Sequence, residues 1–129
     1  PQIISKPSTP VFQARKAPLN TQAATEISPQ EAFDWLSDSN ASWQILDVRT
    51  PQEFSDGHLE NAQLMNFYAQ DFRIKLEKMN RHQPMIIYCR SGNRSGQALK
   101  IMRELGFRNV YDIQGGILAW QATGFPVSK

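Results

Sequence analysis

Short apolar runs alternate with amphipathic stretches five times along this chain. Apolar runs rich in β-branched and aromatic residues predict buried strands, and apolar residues three or four positions apart predict one helix face. The predicted strands are residues 25–28, 44–48, 62–66, 85–88 and 109–113. The predicted helices are residues 29–36, a short helix from 51 that ends at Gly57, 69–79, 95–105 and 117–122. This alternation is typical of the α/β class, with a central parallel five-stranded sheet and helices on both faces.

Capping residues mark several helix boundaries. Residues 28–31 (SPQE) and 50–53 (TPQE) each have the form of a capping box with proline at the first helical position. Ser95 is the expected N-cap of the fourth helix, and Gly106 follows its last apolar residue, where a left-handed cap favours glycine. The side chains expected to face inward are Ala32, Phe33, Leu36, Phe72, Leu76, Met79, Ala98, Ile101, Met102 and Leu105.

The single cysteine, Cys89, stands between the fourth strand and the fourth helix. In parallel sheets ligands bind at the carboxyl ends of strands, which is where this residue is expected. Unpaired amides at the helix start, the helix dipole and the guanidinium groups of Arg90 and Arg94 favour a thiolate there. The alternative is that Cys89 is a small apolar strand residue. The neighbouring arginines and the helix start favour an active thiolate.

Composition excludes several function classes. With 129 residues, 40% of them hydrophobic and 20% charged, the chain suits one folded domain. No apolar run approaches the roughly 20 residues that span a bilayer, so we expect no membrane partner. The net charge of +2 and the lack of a basic stripe with aromatics argue against nucleic acid. One cysteine excludes an intramolecular disulfide and a Cys-x-x-Cys motif.

No metal site or cofactor is expected. His58 and His82, together with one cysteine, make no recognisable zinc-ligand spacing. Trp35, Trp43 and Trp120 are interpreted as packing residues, and Trp120 is a candidate for the rim of the pocket.

The first 24 residues differ in composition from the rest of the chain. Four of the eight prolines fall there, among serine, threonine, glutamine and asparagine without a sustained period. We therefore predict a flexible proline-rich arm over residues 1–24 and a folded domain over residues 25–129. The chain begins at Pro1, so whether it is part of a longer protein stays open. The cytoplasm is favoured, with the periplasm after signal removal as the alternative, and a monomer is expected although the sequence does not fix oligomeric state.

Several short pieces of sequence resemble one family. The pieces are residues 47–49 (DVR), 53–54 (EF), 57–59 (GHL), 89–95 (CRSGNRS), 115–117 (GGI) and 119–120 (AW). Their order and spacing make residues 26–127 similar to a single-domain rhodanese of the thiosulfate sulfurtransferase family. The chain departs from that pattern at Asn61, where the family often has glycine, but asparagine tolerates a left-handed conformation nearly as well.

The resemblance implies sulfur transfer through a persulfide on Cys89. The thiolate would attack the outer sulfur of a small anionic donor such as thiosulfate, and cyanide, a thiol or a protein would accept the sulfur. Backbone amides would surround the outer sulfur, and Gly92 permits the necessary dihedral angles. Arg94 would hold the loop and face the anion while Arg90 attracts the donor, although either arginine could form a structural ion pair instead. The implied substrate-binding residues are Arg90, Ser91, Gly92, Asn93, Arg94 and Ser95.

Four polar residues near the site are interpreted as structural. Arg49 and Glu53 are expected to form a partly buried ion pair, with Asp47 beside them at the strand end. His58 is expected to satisfy a local hydrogen bond.

Two alternative functions stay open. Cysteine phosphatases have a Cys-x5-Arg motif, whereas in this chain four residues separate Cys89 from Arg94. The shorter loop favours sulfur transfer over phosphate-ester hydrolysis, because the cradle has less room. The second alternative is a rhodanese-like sulfur-relay or protein-interaction module with little free turnover. The sequence does not name the physiological donor or acceptor.

Overall fold

In the computed structural model, which describes residues 24–129, five parallel strands form one sheet in the order β1-β5-β4-β2-β3. The strands are β1 (Ala24–Ile27), β2 (Gln44–Asp47), β3 (Gln63–Leu64), β4 (Met85–Tyr88) and β5 (Val110–Ile113). The helices are α1 (Pro29–Leu36), α2 (Pro51–Asp56), α3 (Phe72–Glu77), α4 (Asn93–Glu104) and α5 (Gly116–Ala122). The predicted fold class is confirmed. The predicted arm lies outside the described residues except for Ala24, which begins β1.

Strand β4 lies at the centre of the sheet, between β2 and β5. All four of its residues are fully buried, which explains its unbroken apolar sequence, because a central parallel strand is covered on both faces. Its register pairs Ile87 with Leu46 of β2 and with Asp112 of β5. The loop that follows β4 therefore starts from the buried central strand of the sheet.

Two apolar clusters cover the two faces of the sheet. Met85, Ile87 and Cys89 belong to the first cluster, which also contains buried residues of α3 and α4. Ile86 and Tyr88 belong to the second, with buried residues of α1 and α5. This division follows from the two-residue repeat of a strand. Cys89 thus lies on the face covered by α3 and α4.

Both predicted capping boxes are present. The Glu31 N–H donates to Ser28 Oγ at 3.0 Å, and the Ser28 N–H donates to Glu31 Oε1 at 2.9 Å. Thr50 and Glu53 make the same reciprocal pair at the start of α2, and Gly57 ends that helix. The short pattern of hydroxyl, proline and glutamate was sufficient to locate both helix starts.

The predicted start of α4 is wrong. Its N-cap is Gly92, with φ +117°, and Ser95 lies buried in the first turn. The left-handed glycine turns the chain into the helix directly after the cysteine, so α4 begins sooner than a serine cap would place it. The C-terminal end was predicted correctly, since Gly106 has φ +93° and the Phe107 N–H donates to Met102 O at 3.0 Å.

Two other elements are shorter than predicted. Helix α3 spans six residues, because the flanking turns use i to i−3 hydrogen bonds such as Phe72 N–H to Ala69 O and Met79 N–H to Leu76 O. Strand β3 has two residues and pairs with β2 alone at the sheet edge. On α1, Ala32 is buried, whereas Phe33 and Leu36 are half-buried.

Candidate active site

Cys89 follows directly after β4, at the start of the loop that leads into α4. The Gly92 N–H donates to its Sγ at 3.1 Å, and the Ser95 hydroxyl donates to the same atom at 3.4 Å. The residue is only 1% exposed. One backbone amide and one hydroxyl therefore face a sulfur atom that is almost closed off from solvent.

One of the backbone amides expected to surround the outer sulfur already faces Sγ. Among residues 24–129, the amide of Gly92 is the one backbone group that donates a hydrogen bond to Sγ. The apolar surroundings of Cys89 include Ile87 and Ala98. The sulfur thus meets polar donors on its loop side and hydrocarbon on its sheet side. Convergence of the other amides on an outer sulfur stays a prediction.

The amino end of α5 holds the first two carbonyl groups of the loop. The Ile117 N–H donates to Cys89 O at 2.9 Å, and the Leu118 N–H donates to Arg90 O at 3.1 Å. Because a trans peptide points its N–H opposite to its C=O, the amides of Arg90 and Ser91 face away from α5. A Cβ on Gly116 would lie 2.4 Å from Arg90 O, so only glycine permits this approach.

Arg94 is anchored by Glu53 of α2. Its Nη1 and Nη2 donate to Glu53 Oε1 and Oε2 at 2.8 and 2.9 Å, which is a bidentate arrangement. The hydrogen bond from Arg94 lowers the pKa of Glu53 to about 2, although partial burial opposes this shift. The same bond, together with the charges of Glu53 and Cys89, raises the pKa of Arg94. Arg94 therefore makes the structural ion pair that was one of its two predicted roles.

The predicted pair of Arg49 with Glu53 is wrong. Arg49 Nη2 donates to Asp47 Oδ2 at 2.6 Å, and both side chains are buried. Glu53 is instead occupied by its capping contacts with Thr50 and by Arg94. Asp47 and Arg49 lie two residues apart at the end of β2, so they meet without any contribution from α2.

A buried hydrogen-bond network surrounds this second ion pair. The Tyr88 hydroxyl donates to Asp47 Oδ2 at 2.7 Å and accepts the Leu59 N–H at 3.0 Å. Burial raises the pKa of Tyr88, so its hydroxyl stays protonated and remains a donor. Arg49 also donates to Gly57 O at 2.6 Å, at the end of α2. The network fixes the position of α2, which carries Glu53 to the cysteine loop.

The sequence of the chain matches the family model of the rhodanese-like domain over residues 28–123. The chain belongs to the rhodanese-like domain family. The predicted resemblance is thereby confirmed. Solved rhodanese-like structures show the same fold: a rhodanese-related protein from Thermoplasma volcanium has 28% identity and a TM-score of 0.71, covering 81% of this chain and 97% of that one. A rhodanese-like domain protein from Staphylococcus aureus has 27% identity and a TM-score of 0.69, with coverages of 81% and 99%.

Relatives of this rhodanese-like domain include sulfurtransferases. A sulfurtransferase from Allochromatium vinosum is 32% identical over 102 residues, which are 79% of this chain and 92% of that protein. The probable adenylyltransferase/sulfurtransferase MoeZ of Mycobacterium tuberculosis is 36% identical over 94 residues, 73% of this chain. The chain spans only 24% of the length of MoeZ. The thiosulfate sulfurtransferase GlpE of Actinobacillus pleuropneumoniae is 25% identical, with coverages of 83% and 95%. These relationships support sulfur transfer, and hence sulfur donors and acceptors in general.

The remaining residues of the rhodanese-like loop point outward. Arg90, Ser91 and Asn93 are exposed, and Asn93 Oδ1 accepts a hydrogen bond from Gln97 at 2.8 Å. No carboxylate within residues 24–129 pairs with the Arg90 guanidinium. Arg90 is thus a cation at the loop surface, whereas the charge of Arg94 is shared with a carboxylate.

Other residues singled out from the sequence lie apart from the sulfur. His58 Nδ1 lies 2.8 Å from Phe54 O, which confirms the predicted local hydrogen bond. Asn61 has φ +68°, the left-handed conformation expected of it. Trp120 belongs to the apolar cluster on the opposite face from Cys89 and lines a cavity of about 170 Å³ there. Its predicted place at the rim of the cysteine pocket is therefore wrong, because alternate faces of the sheet carry the two residues.

Two residues of the rhodanese-like site were missed by the sequence analysis. Gly116 was singled out only as part of the family motif at residues 115–117, with no role at the cysteine loop, and Asp112 was interpreted only as a strand residue. Burial raises the pKa of Asp112 to about 7; Ser95 opposes this shift, and the charge of Glu26 adds to it. A carboxylate within an otherwise apolar strand was the available signal for Asp112.

The described part of the chain has neither a metal-binding cluster nor a membrane-spanning helix. Residues 24–129 contain no group of three or more His, Cys, Asp or Glu side chains placed to hold a metal ion. Nor does any helix in that range have the length and apolar character to cross a bilayer.

Proposed function

We propose that residues 25–129 form a sulfurtransferase domain that moves a sulfane sulfur from thiosulfate, or a related small anionic donor, to a thiophilic acceptor through a persulfide on Cys89. The observation that carries this proposal is the Gly92 amide directed at Cys89 Sγ from 3.1 Å, in a chain of the rhodanese-like family. The name of the GlpE relative, thiosulfate sulfurtransferase, supports the choice of donor.

The reaction takes two displacement steps. The Cys89 thiolate attacks the outer sulfur of thiosulfate, the S–S bond of the donor breaks, and sulfite leaves with the electron pair. The protein then carries Cys–S–S⁻. An acceptor such as cyanide attacks the outer sulfur, the S–S bond of the persulfide breaks, and thiocyanate leaves as the thiolate is regenerated. Sulfur, charge and electrons balance over the cycle, so no external oxidant or reductant enters it.

The loop stabilises negative charge on sulfur in both forms. Gly92 N–H and the Ser95 hydroxyl donate to Sγ, and the unpaired amides at the start of the twelve-residue helix α4 add a positive dipole. In the persulfide the charge lies on the outer sulfur, where further amides of the loop are expected to face it. Arg94 adds a fixed positive charge whose position is set by Glu53.

The surroundings of the loop favour a small donor. Cys89 is almost completely buried, which leaves little room for a bulky donor at the sulfur. The exposed Arg90, which has no acidic partner within residues 24–129, supplies an attraction for an anion at the loop surface. Burial and charge together select a compact anion such as thiosulfate.

A sulfur-relay or interaction module with little free turnover is the second candidate. Two observations favour it: Cys89 is only 1% exposed, and the domain spans 24% of the MoeZ relative, so related domains occur within longer proteins. In that role a partner protein would present or collect the sulfur at the loop.

Intact-mass measurement tests the proposed function. The protein is incubated with thiosulfate, and we expect the mass of one added sulfur atom, absent in Cys89→Ser, together with thiosulfate:cyanide turnover. An adduct without turnover would favour the relay. Absence of both adduct and turnover would leave the interaction module, and phosphate-ester hydrolysis without a persulfide would overturn sulfur transfer.

A further inference from the structure

A buried carboxyl group lies beneath the cysteine loop. Asp112 of β5 is in register with Ile87 of β4, and Cys89 follows two residues later on the same face. Val110 shares the apolar cluster of Cys89, whereas Tyr111 belongs to the cluster on the opposite face. Since side chains alternate along a strand, Asp112 faces α4 together with Cys89.

Asp112 lacks the partners that a buried carboxylate needs. The residue is 1% exposed, and neither carboxyl oxygen meets hydrogen-bond geometry with a partner among residues 24–129. An ionised carboxylate without hydrogen bonds is costly in such surroundings, and native proteins rarely retain one without a role. The group is not part of the ion pair of Arg49 with Asp47 or of that of Arg94 with Glu53.

Ser95 connects this carboxyl group with the sulfur. Its hydroxyl lies 3.4 Å from Cys89 Sγ and 3.4 Å from Gly92 O. Ser95 lies on the buried face of α4 that packs against the sheet, on the side of Asp112, although no hydrogen bond joins it to either carboxyl oxygen in this structure. A serine hydroxyl has a single proton to donate, and its oxygen can accept as well. The partner that receives this proton depends on the protonation state of the carboxyl group.

We propose that Asp112 is a positioning residue that acts on Cys89 through the hydroxyl of Ser95. When the carboxyl group is neutral, it does not compete for the serine proton, which is directed to the sulfur as in this structure. When ionised, the carboxylate accepts the serine proton, so the sulfur loses one of its two donors. No proton is transferred between residues in this change of hydrogen-bond direction.

The groups around Asp112 place this change near neutral pH. Burial raises the pKa of Asp112 to about 7, with Ser95 of α4 lowering it and Glu26 of β1 raising it. Glu26 is in register with Asp112 on the neighbouring strand, and Cys89 is the titratable group on the side of β4. Formation of a thiolate or persulfide anion at Cys89 adds negative charge, which further favours the neutral carboxyl group.

Alkylation of Cys89 by iodoacetamide tests the inference. Rates are measured from about pH 5 to about pH 9, with the ultraviolet absorbance of the thiolate as a second readout. For the unmodified protein we expect the alkylation rate to change in two steps as the pH rises. The step near neutral pH should change the rate by about three- to tenfold. Asp112→Asn cannot ionise, so its profile should have one step. Superimposable profiles for the two proteins would overturn the proposal.

Three further variants make the assignment specific. Glu26→Gln removes a charge that disfavours ionisation of Asp112, so the neutral step should move to lower pH; a step that stays in place would contradict its assignment to Asp112. Ser95→Ala leaves the carboxyl group intact but should abolish the same step, which keeps the test valid if Asp112→Asn does not fold. Asp34→Asn, at an exposed position of α1, is the matched control and should retain both steps of the alkylation profile.

The inference rests on the proposed function only in treating Cys89 as the reacting group. Alkylation reports any thiolate that the reagent reaches, and the thiolate absorbance does not depend on access to the sulfur, so neither readout requires sulfur transfer. If no persulfide forms while Asp112→Asn changes the alkylation profile, the positioning role stands and the proposed function fails. If thiosulfate yields a persulfide and the profile of Asp112→Asn is unchanged, the proposed function stands and the positioning role fails.

Discussion

At the level of single residues, the pair formed by Arg94 and Glu53 connects the cysteine loop to α2. Two charge-assisted hydrogen bonds join them, and the side chains are only 14% and 27% exposed. Their geometry and partial burial distinguish them from an exposed surface pair, whose contribution to stability is small. Glu53 also caps α2, so one carboxylate holds both the helix start and the loop.

Glu53→Gln is expected to loosen both contacts. Loss of the charge should lower the free energy of unfolding by about 1–2 kcal/mol, because Arg94 keeps its charge without a carboxylate partner. The measurement is denaturant unfolding at neutral pH. Glu77→Gln, at an exposed position of α3, is the matched control, and its free energy of unfolding is expected to change by no more than about 0.5 kcal/mol. Equal effects of the two substitutions would argue against a special role for the pair.

Asp112 gives a second residue-level prediction, with a definite sign. Its pKa in the folded protein, about 7, lies above the unfolded value of about 3.9. The folded state therefore binds the proton more tightly, and stability is lost as pH rises from about 4 through about 7. Asp112→Asn should be more stable than the unmodified protein by about 2–4 kcal/mol above pH 7, with a smaller difference near pH 4. Unfolding measured at both pH values checks this, and a difference independent of pH would contradict it.

The sequence identified the chemistry-bearing residues better than it identified their partners. Cys89, Arg94 and Glu53 were all singled out, yet Glu53 was assigned to Arg49. Arg94 and Glu53 are 41 positions apart, and periodicity describes only neighbours along the chain. Asp112 escaped notice for the same reason, since its proximity to Ser95 arises from strand pairing and helix packing.

At the level of elements, the start of α5 sets the position of the loop backbone. Its first amides hold the carbonyl groups of Cys89 and Arg90, and Gly116 lets the two segments approach each other. Helix starts leave such amides unpaired, so they are available to bind another segment. The glycine pair was recognisable in the sequence as part of the family motif, but its contact with the loop was not, because that contact joins segments 26 residues apart.

Gly116→Ala should displace the loop. The added Cβ would lie 2.4 Å from Arg90 O and 2.5 Å from Cys89 O, at a backbone φ of +64° that disfavours alanine. We expect a loss of about 2–4 kcal/mol in the free energy of unfolding and slower persulfide formation. Gly96→Ala in α4 is the control, since its Cβ meets nothing within 4 Å. That substitution should stabilise by about 0.5–1 kcal/mol, and a similar loss at both glycines would contradict the prediction.

Helix starts that have a side-chain cap were predictable, whereas the start of α4 was not. Ser28 and Thr50 mark the starts of α1 and α2, because each hydroxyl residue is followed three positions later by a glutamate. Gly92 caps α4 through its backbone dihedral angles alone, with no side-chain hydrogen bond. A glycine among polar residues is compatible with several loop shapes, so the sequence pattern favoured Ser95 instead.

At the level of the whole molecule, the strand order brings three chain segments together at the carboxyl end of the parallel strands. The segments after β4, β2 and β5 carry Cys89, Arg49 and Gly115, and these strands are neighbours in the sheet. The alternation of elements predicted a parallel sheet, but strand order depends on packing between distant elements and was left open. Placing the three carboxyl ends together brings the cysteine loop, the start of α5 and the Arg49–Asp47 ion pair to the same end of the sheet.

The small net charge of +2 leaves attraction of an anionic donor to local charges. Arg90 lies in the cysteine loop at the carboxyl end of the strands, whereas Arg108 precedes β5 at their amino end. Both residues are exposed. Loss of either guanidinium changes the net charge equally. Only the loss of Arg90 should weaken the attraction of thiosulfate to the cysteine loop, because the fields of exposed charges are screened over about 10 Å at ordinary ionic strength.

Arg90→Ala is therefore expected to raise KM for thiosulfate by about three- to tenfold with little change in kcat, and Arg108→Ala to leave KM within about twofold. Steady-state kinetics at several ionic strengths provide the measurement. Added salt should raise KM of the unmodified protein and of Arg108→Ala but leave that of Arg90→Ala nearly constant, since the charge being screened has been removed. Equal KM values for the two variants would mean that the donor responds to net charge, and a fall in kcat alone would place Arg90 in the chemical step.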